Sequence, residues 1–375
     1  MGTSFIAESD VLIVGAGIVG LAHASAAIAR GLTVTVIDRD ARAVGASVRN
    51  FGHCCVTAQS GQLLDLALVA REKWLDASQK AGFFSLEAGA LTIARTPAEL
   101  AVVEELAASR EPGQVALLTA TEVRSHLSAD ANPPILGGAL LRDDLRVDPR
   151  EAVGKLADWL ARQPGVRFLW QTSYQGGSDG VALTSRGEIR AERTIVCVGH
   201  DLDYLFPDLA ADNQVERCGL QMALIAAPLG LALRPAVLTG TSMLRYPAFA
   251  ETAAASTLAM EMASARPDLV EIGANVMFTQ RPDGTVIVGD SHRYATTMDP
   301  FQGEATSSTL FDEIAGILGV PSVKVIQRWQ GIYASSVRAP FLIAEPLPGV
   351  TTAIVTSGVG MTISFGLAAK TFDLL

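Results

Sequence analysis

The fold is decided by the stretch DVLIVGAGIVG at residues 10–20, which is followed by VTVID at residues 34–38. The pattern predicts a buried strand, a glycine turn, a helix and a second strand. In such a unit Gly15 permits the tight turn, Gly17 lets a pyrophosphate approach the backbone, and Gly20 lets the helix pack closely on the strand. The helix N-terminus then presents free N–H groups and a positive dipole end to the phosphates.

Asp38 strengthens this interpretation because it ends the second strand, where a carboxylate accepts hydrogen bonds from a ribose. The Gly-x-Gly-x-x-Gly spacing alone is a weak signal. Here the strand, the helix and the acid stand in the expected order, so we predict a dinucleotide-binding domain. A glycine turn without a ligand would not explain the acid. A nicotinamide-dependent dehydrogenase shares this first motif, so the motif leaves the choice of dinucleotide open.

Length and composition predict a two-domain globular enzyme. The chain has 375 residues, of which 49% are hydrophobic and 18% charged. Its net charge of −10 argues against nucleic acid and anionic membranes as partners, but a small anion needs only a local basic pocket. The four cysteines lack metal-ligand spacing, and no signal peptide or membrane segment is recognisable. We therefore expect a reduced, cytoplasmic protein that holds no metal and does not insert into membranes.

The order of elements predicts a discontinuous first domain. Strand–turn–helix patterns occur at the start, near residues 148–200, and at the end, where SGVG at residues 357–360 precedes a helix. β-rich segments lie between them. We therefore predict an α/β fold of the α+β two-domain type. Its Rossmann-like domain would comprise residues 1–85, 146–215 and 323–375, and an inserted β-rich substrate domain residues 86–145 and 216–322.

Apolar periodicity adds local detail to this plan. Asp148 and Pro149 are typical of the N-cap and the first position of a helix. The predicted helices span residues 62–81, 97–109, 149–162 and 304–318, and the candidate strands of the inserted domain span residues 220–226, 243–246, 275–280 and 285–288.

Four segments together resemble a known superfamily: residues 15–20 with Asp38, IVCVG at 195–199, PDGTVIVG at 282–289, and SGVGMT at 357–362. They are similar to the FAD-dependent oxidoreductases that include D-amino-acid oxidase, glycine oxidase and sarcosine oxidase. The resemblance spans nearly the whole chain. It implies FAD, a reactive flavin face at the domain junction, and oxidation of a carbon–nitrogen bond. It implies FAD contacts from Gly15, Gly17, Ile18, Gly20, Asp38, Arg39, Ser47, Asn50, Phe51, Gly52, Cys197, Gly199, Gly358, Gly360, Met361 and Thr362.

A narrower resemblance concerns the substrate. VRNFGH at 48–53, LQM at 220–222, LRYPAF at 244–249 and GDSH at 289–292 resemble a bacterial subgroup that is linked with phosphonate breakdown. That subgroup is proposed to oxidise aminophosphonates. The resemblance implies a substrate such as 2-aminoethylphosphonate or its N-methyl or 1-hydroxy derivative.

Three departures from the family pattern refine these implications. Some relatives tether the flavin through a cysteine that corresponds to Gly331 here, so we predict non-covalent FAD. A lysine that promotes the oxygen reaction in monomeric sarcosine oxidases has no counterpart within residues 286–288, which leaves O2 or another electron acceptor open. The arginine that grips the substrate carboxylate in glycine oxidase has no counterpart near residues 359–360, which argues against a simple α-amino acid.

Candidate substrate and catalytic residues follow from the chemistry. Arginine forks suit a phosphonate or carboxylate, and a histidine with a near-neutral pKa suits removal of the ammonium proton. The candidate catalytic residues are His53, His292, Gln221 and Tyr246, and the candidate substrate-binding residues are Arg245, Arg338, Arg49 and Tyr333.

Three functional hypotheses remain at this stage. The first is an FAD-dependent oxidoreductase that converts a small anionic amine to an imine, which hydrolyses to an aldehyde and an amine. The second is a glycine, sarcosine or D-amino-acid oxidase. The third, from another class, is a flavin-binding subunit or sensor without turnover. The oligomeric state is left open.

Overall fold

The opening motif has the predicted conformation in the structure, a computed structural model that describes residues 5–127 and 134–375. Strand β1 (Ala7–Val14) turns at Gly15 into helix α1 (Ile18–Ile28), and β2 (Val34–Ile37) pairs parallel to β1. Gly15 has a φ of 102°, a conformation that side chains with a Cβ rarely adopt. A Cβ on Gly20 would lie 1.9 Å from the Gly15 carbonyl oxygen, so close packing of α1 on the turn requires glycine there.

The remaining elements follow in chain order. The further strands are β3 (His53–Cys54), β4 (Ser85–Leu86), β5 (Ala90–Ala94), β6 (Val115–Thr119), β7 (Gly137–Leu141), β8 (Leu145–Val147), β9 (Val166–Leu169), β10 (Tyr174–Ser178), β11 (Val181–Thr184), β12 (Gly187–Val196), β13 (Glu216–Ile225), β14 (Ala236–Leu238), β15 (Met277–Gln280), β16 (Val286–Gly289), β17 (Arg293–Ala295), β18 (Val325–Ser335), β19 (Phe341–Leu347) and β20 (Val350–Val355). The further helices are α2 (Gly61–Ala81), α3 (Pro97–Ser109), α4 (Ala120–Leu127), α5 (Pro149–Ala161), α6 (Leu202–Leu205), α7 (Pro207–Asp212), α8 (Gly240–Met243), α9 (Pro247–Ala250), α10 (Ala254–Ala265), α11 (Pro267–Glu271), α12 (Glu304–Leu318) and α13 (Gly360–Leu374).

The first sheet has a parallel centre. Its strands run in the order β9-β2-β1-β12-β20, all parallel to their neighbours, with β10, β11 and β19 added antiparallel. Helices α1, α2, α5 and α13 pack on one another beside it. Trp74 of α2 donates its indole N–H to the carbonyl of Met361 at 2.7 Å, which ties α2 to the start of α13. This is the predicted Rossmann-like arrangement.

The second sheet is mostly antiparallel and forms the predicted β-rich part. Its strands run in the order β17-β13-β16-β15-β14-β5-β7-β6, and β18 pairs with β13. A third sheet orders β3, β8 and β4. The predicted domain boundary at residue 323 assigned β18 to the first domain. The long pairing of β18 with β13 places this strand in the second sheet instead.

The local predictions hold with one exception. The four predicted helices are present as α2, α3, α5 and α12, and the Asp148 carboxylate caps α5 by accepting the Arg150 N–H at 3.0 Å. The strand predicted at residues 243–246 is wrong: Thr239 and Ser242 form a capping box that starts α8, and Pro247 starts α9. No helix of the described ranges is both long and apolar enough to cross a bilayer.

Candidate active site

One cavity of about 540 Å³ connects the two sheets. At one end it is lined by Gly15 and Gly17 of the β1–α1 turn. At the other end it reaches Arg245 and Tyr333, which belong to the part built on the second sheet. Its volume lies in the range of small-molecule and cofactor sites. The cavity therefore sits where the resemblance to flavoenzymes expects the domain junction.

The end of the cavity near α1 fits a dinucleotide. Asp38 lines it at the end of β2, and Ser47 lines it from the following loop, where its hydroxyl accepts the Ile18 N–H at 2.9 Å. A Cβ on Gly17 would lie 3.0 Å from that hydroxyl oxygen, so the glycine keeps the space beside the helix start open. An open glycine cradle, a helix N-terminus and an acid on the second strand are the features that hold a pyrophosphate and a ribose.

A second glycine turn lines the far side of the cavity. Ser357 and Gly358 follow β20, and Gly360 and Met361 begin α13; all four line the cavity. Gly358 has a φ of 75°, and a Cβ there would lie 3.0 Å from the Tyr333 ring. The start of a 15-residue helix therefore meets the cavity with its positive dipole end.

Most of the predicted cofactor residues meet at this cavity. Those that line it are Gly15, Gly17, Ile18, Asp38, Arg39, Ser47, Asn50, Phe51, Cys197, Gly199, Gly358, Gly360 and Met361. Three predicted residues lie behind its wall instead. Gly20 packs under the first turn, Gly52 packs against the Val147 carbonyl, and the Thr362 hydroxyl accepts the Cys55 N–H at 3.0 Å.

The opposite end of the cavity carries a cluster of polar side chains on different elements. Arg245 and Tyr246 lie between α8 and α9, Asp290 and His292 follow β16, and Tyr333 lies on β18. The Arg245 guanidinium donates to the Tyr294 hydroxyl at 3.2 Å. Among the described residues, no carboxylate lies within ion-pair distance of Arg245. Its charge is therefore available to a ligand in the cavity.

At this end of the cavity the buried histidine is neutral, whereas the buried acid can gain or lose a proton near neutral pH. Burial and the nearby Arg245 charge lower the pKa of His292 to about 3, so its ring is neutral. Its Nδ1 lies 2.9 Å from the Gly273 carbonyl, which can only accept, so Nδ1 carries the proton and Nε2 is an acceptor. Burial raises the pKa of Asp290 to about 7, against the opposing effect of Arg245.

Three of the predicted catalytic and substrate residues lie elsewhere. His53 is buried and donates from Nε2 to Asp144 at 2.7 Å, away from the cavity wall. Gln221 accepts the Ser307 hydroxyl at 2.9 Å and lines a separate cavity of about 440 Å³. Arg338 is exposed on the loop between β18 and β19. His53, Gln221 and Arg338 therefore do not line the main cavity.

The other five candidates line the main cavity: Arg245, Arg49, His292, Tyr246 and Tyr333. Arg49 also donates to the Gln330 carbonyl at 3.2 Å, so it has a structural partner as well. Sequence reasoning missed Asp290 and Asn275, which line the cavity beside them. The sequence does contain one indication that Asp290 is a site residue, because this acid directly follows an apolar strand.

A buried cluster lies outside the cavity and bears on the prediction that no metal is bound. His53, Cys55 and Asp144 each place one potential ligand atom within 4.8 Å of the others. The Asp144 carboxylate already accepts hydrogen bonds from His53 and from the Thr57 N–H, each at 2.7 Å. Burial and the Asp144 charge hold the pKa of Cys55 well above its usual value, so the thiol stays protonated. This arrangement is a buried hydrogen-bonded cluster in which Nδ1 of His53 has no partner among the described residues.

Comparisons with known proteins show that solved structures share this fold. The chain superimposes on glycine oxidase from Geobacillus kaustophilus with a TM-score of 0.77 and 18% identity, over 98% of this chain and 94% of that one. It superimposes on iminodiacetate oxidase from Chelativorans sp. BNC1 with a TM-score of 0.74 and 20% identity, over 96% and 94% of the two chains. L-α-glycerophosphate oxidase from Mycoplasma pneumoniae, solved with FAD bound, gives a TM-score of 0.75 and 17% identity over 99% and 95%.

These structural likenesses show a shared fold. A comparison with curated protein sequences gave no match. The family described as FAD dependent oxidoreductase (DAO) matches residues 10–374, which is almost the entire chain. The chain therefore belongs to the DAO family of FAD-dependent oxidoreductases, and it is an enzyme that uses FAD.

Proposed function

We propose that this enzyme oxidises the carbon–nitrogen bond of a small amine that bears an anionic group, and that the substrate is an aminophosphonate. Candidates are 2-aminoethylphosphonate and its N-methyl and 1-hydroxy derivatives. The observation that carries this proposal is Arg245, a cavity-lining guanidinium without a carboxylate partner among the described residues. Arginine binds phosphonate or carboxylate oxygens through two parallel hydrogen bonds.

The protein's own groups have distinct tasks in this reaction. Bound FAD supplies the hydride acceptor. Arg245 holds the anionic group and so fixes the substrate in the cavity. The neutral His292 offers Nε2 as an acceptor for an amine N–H. Burial raises the pKa of Tyr246 and of Tyr333 well above the usual value, so both hydroxyls stay protonated and can donate.

The start of α13 and the position of Gly331 concern the cofactor. The N–H groups and dipole at Gly360 and Met361 favour negative charge beside them, which suits the reduced flavin. Gly331 lines the cavity without a side chain that can form a bond, which supports non-covalent FAD. Acid precipitation of the protein should then leave all yellow colour in the supernatant, whereas a covalent flavin would remain in the pellet. The four buried, free cysteines support a reducing, cytoplasmic setting.

A glycine, sarcosine or D-amino-acid oxidase is the second candidate. It is supported by the likeness to the structures of glycine oxidase and iminodiacetate oxidase. The lack of an arginine near Val359 and Gly360 counts against it, because a carboxylate held close to the α-carbon would have no cation there. Arg245 can also bind a carboxylate, so substrate tests must separate the two.

The deciding experiment is anaerobic flavin absorbance of the purified holoenzyme before and after addition of single amines. The panel contains 2-aminoethylphosphonate, its N-methyl and 1-hydroxy forms, glycine, sarcosine and D-alanine. Bleaching by an aminophosphonate alone is expected. Bleaching by amino acids alone would replace the first candidate with the second, and a flavin that no amine bleaches would favour a non-catalytic protein. Recovery of the colour in air would identify O2 as an acceptor.

A further inference from the structure

We propose that Asp290 binds the ammonium group of the substrate and accepts its proton, so that Asp290 and Arg245 together select a dipolar ion. This inference rests on the proposed amine oxidation and adds a residue and a selectivity rule to it. In the step itself, the N–H bond of R–NH3⁺ breaks and an O–H bond forms on the carboxylate. The products are R–NH2 and a neutral Asp290 carboxyl group, with charge and atoms conserved.

The position of Asp290 is fixed by its backbone. It directly follows β16, and its N–H donates to the Asn275 carbonyl at 2.9 Å. In return the Asn275 N–H donates to the Asp290 carbonyl at 2.8 Å. Only 3% of the residue is exposed, and it lines the main cavity. Two backbone hydrogen bonds to Asn275 therefore hold the main chain of Asp290 at the cavity wall.

One carboxylate oxygen lacks a protein partner. Oδ1 of Asp290 is buried and accepts no hydrogen bond from the described residues. His292 cannot supply one, because its Nδ1 is 3.8 Å away and gives its proton to Gly273. A buried acceptor without a partner costs free energy. Because Oδ1 itself has almost no accessible surface, an ammonium group in the cavity would meet the carboxylate at Oδ2, and its positive charge would offset this cost.

The surroundings of Asp290 suit a group that accepts a proton near neutral pH. The titratable groups that face it are Arg245, Tyr246, Cys218 and His292. Arg245 is the only charged one, since burial raises the pKa of Cys218 to about 11 and lowers that of His292 to about 3. Asp290, with a pKa raised to about 7, can therefore exist in both forms at neutral pH.

The two opposite charges give the site a selectivity that Arg245 alone would not give. Arg245 attracts any small anion, whereas the Asp290 carboxylate repels an anion that lacks a cationic partner. A molecule with both an anionic group and an ammonium group satisfies both residues. A compound of the same shape without the amine, such as ethylphosphonate, leaves Asp290 unpartnered.

The test uses the holoenzyme with Asp290→Asn, which keeps the shape but removes the charge. The control is Asp299→Asn, an acid outside the main cavity that pairs with Arg293 at 3.8 Å. Single-turnover flavin reduction by the best amine is followed from pH 5.5 to pH 9. We expect the wild type and the control to lose rate as the pH falls through about 7. The Asp290→Asn variant should reduce the flavin about 10²–10⁴-fold more slowly near neutral pH, and its rate should not fall further as the pH drops through about 7.

Ligand binding gives a second readout that does not need turnover. Perturbation of the flavin spectrum reports the Kd for 2-aminoethylphosphonate and for ethylphosphonate. The wild type should prefer the amine, and Asp290→Asn should lose this preference while binding ethylphosphonate equally or more tightly. If Asp290→Asn does not take up FAD, Asp290→Ala is measured in the same way.

The Asp290→Asn variant could instead keep the wild-type rate, the wild-type pH profile and the preference for the amine. That result would overturn the proposed role of Asp290. Failure of the proposed function gives a different result, because no amine would then bleach the flavin of the wild type. In that case the binding measurement still tests Asp290. If the wild type prefers the amine and Asp290→Asn abolishes this preference, amine binding by Asp290 is supported. Absence of any preference in the wild type would refute both.

Discussion

The carboxylate of Asp38 accepts a hydrogen bond from the backbone N–H of Ala16, with an N–O distance of 2.7 Å. Its other oxygen accepts the Asp40 N–H at 2.9 Å. The acid at the end of β2 therefore stabilises the glycine turn after β1, and it also lines the cavity. One side chain links the shape of the turn to the cofactor site.

Removal of the Asp38 side chain should weaken FAD binding. Asp38→Ala loses a charge-assisted hydrogen bond to Ala16 and any hydrogen bond to a ribose, each worth about 1.5–3 kcal/mol. We expect the Kd for FAD to rise by about 10–100-fold, measured by fluorescence titration of apoprotein. Asp10→Ala is the matched control: Asp10 accepts the Thr33 N–H at 2.7 Å at the far end of the same two strands. A similar loss in both variants would indicate general damage to the sheet.

Arg245 and Arg338 should behave differently because only Arg245 lines the cavity. Arg245→Met removes the proposed anion-binding group, and the loss of charged hydrogen bonds should raise KM by about 10–100-fold or more. Arg338→Met should leave KM unchanged. Steady-state kinetics with the best substrate of the panel measure both. Equal effects at the two positions would contradict anion binding by Arg245.

The His53–Asp144 pair should contribute to stability instead of catalysis. His53 and Asp144 side chains are 2% and 0% exposed, and Asp144→Ala leaves His53 and the Thr57 N–H without their acceptor. A buried donor left without its acceptor typically costs about 1–3 kcal/mol. Asp76→Ala removes the exposed pair with Lys80, which has the same 2.7 Å distance, and should cost less than about 1 kcal/mol.

Urea unfolding of the two holoenzymes, followed by tryptophan fluorescence, compares their midpoints. A clear drop is expected for Asp144→Ala and almost none for Asp76→Ala. The residual kcat of Asp144→Ala at low temperature, where the variant is folded, should stay near the wild-type value. A loss of kcat in fully folded Asp144→Ala would return His53 to the list of catalytic candidates.

The raised pKa of Asp290 makes stability depend on pH. Its folded pKa of about 7 exceeds the ordinary value of 3.8, so the folded state holds the proton more tightly. The associated stability is fully present below about pH 4 and is lost as the pH rises through about 7. Each unit of pKa difference corresponds to about 1.4 kcal/mol.

The difference in thermal midpoint between Asp290→Asn and the wild type reports this effect. The variant cannot ionise, so its advantage should be larger at pH 8 than at pH 5. Contributions from His292 are present in both proteins and cancel to first order. A difference that stays constant between these pH values would show that Asp290 is ionised throughout and that its pKa is not raised.

The site was less predictable than the local structure. Gln221 was a candidate because it lies in a strand near the expected flavin, yet its neighbours Leu220 and Met222 line the main cavity and Gln221 does not. Successive side chains of a strand point to opposite faces, and the sequence of β13 alone does not tell which face meets the cavity. Asp290 was missed for the same reason, since an acid after a strand is as compatible with solvent as with a cavity.

The sequence by itself determined the strand–turn–helix unit of residues 10–38, the α/β plan, the main helices and the FAD-binding family. These depend on local periodicity, caps and glycine positions, which act within a few residues of one another. Only the tertiary structure decided that Arg245, Asp290, His292 and Tyr333 share one cavity and that His53, Gln221 and Arg338 do not. That outcome depends on strand register and on pairings across the chain, such as Leu220 of β13 with Gly331 of β18, because side chains far apart in sequence meet only after the sheet is assembled.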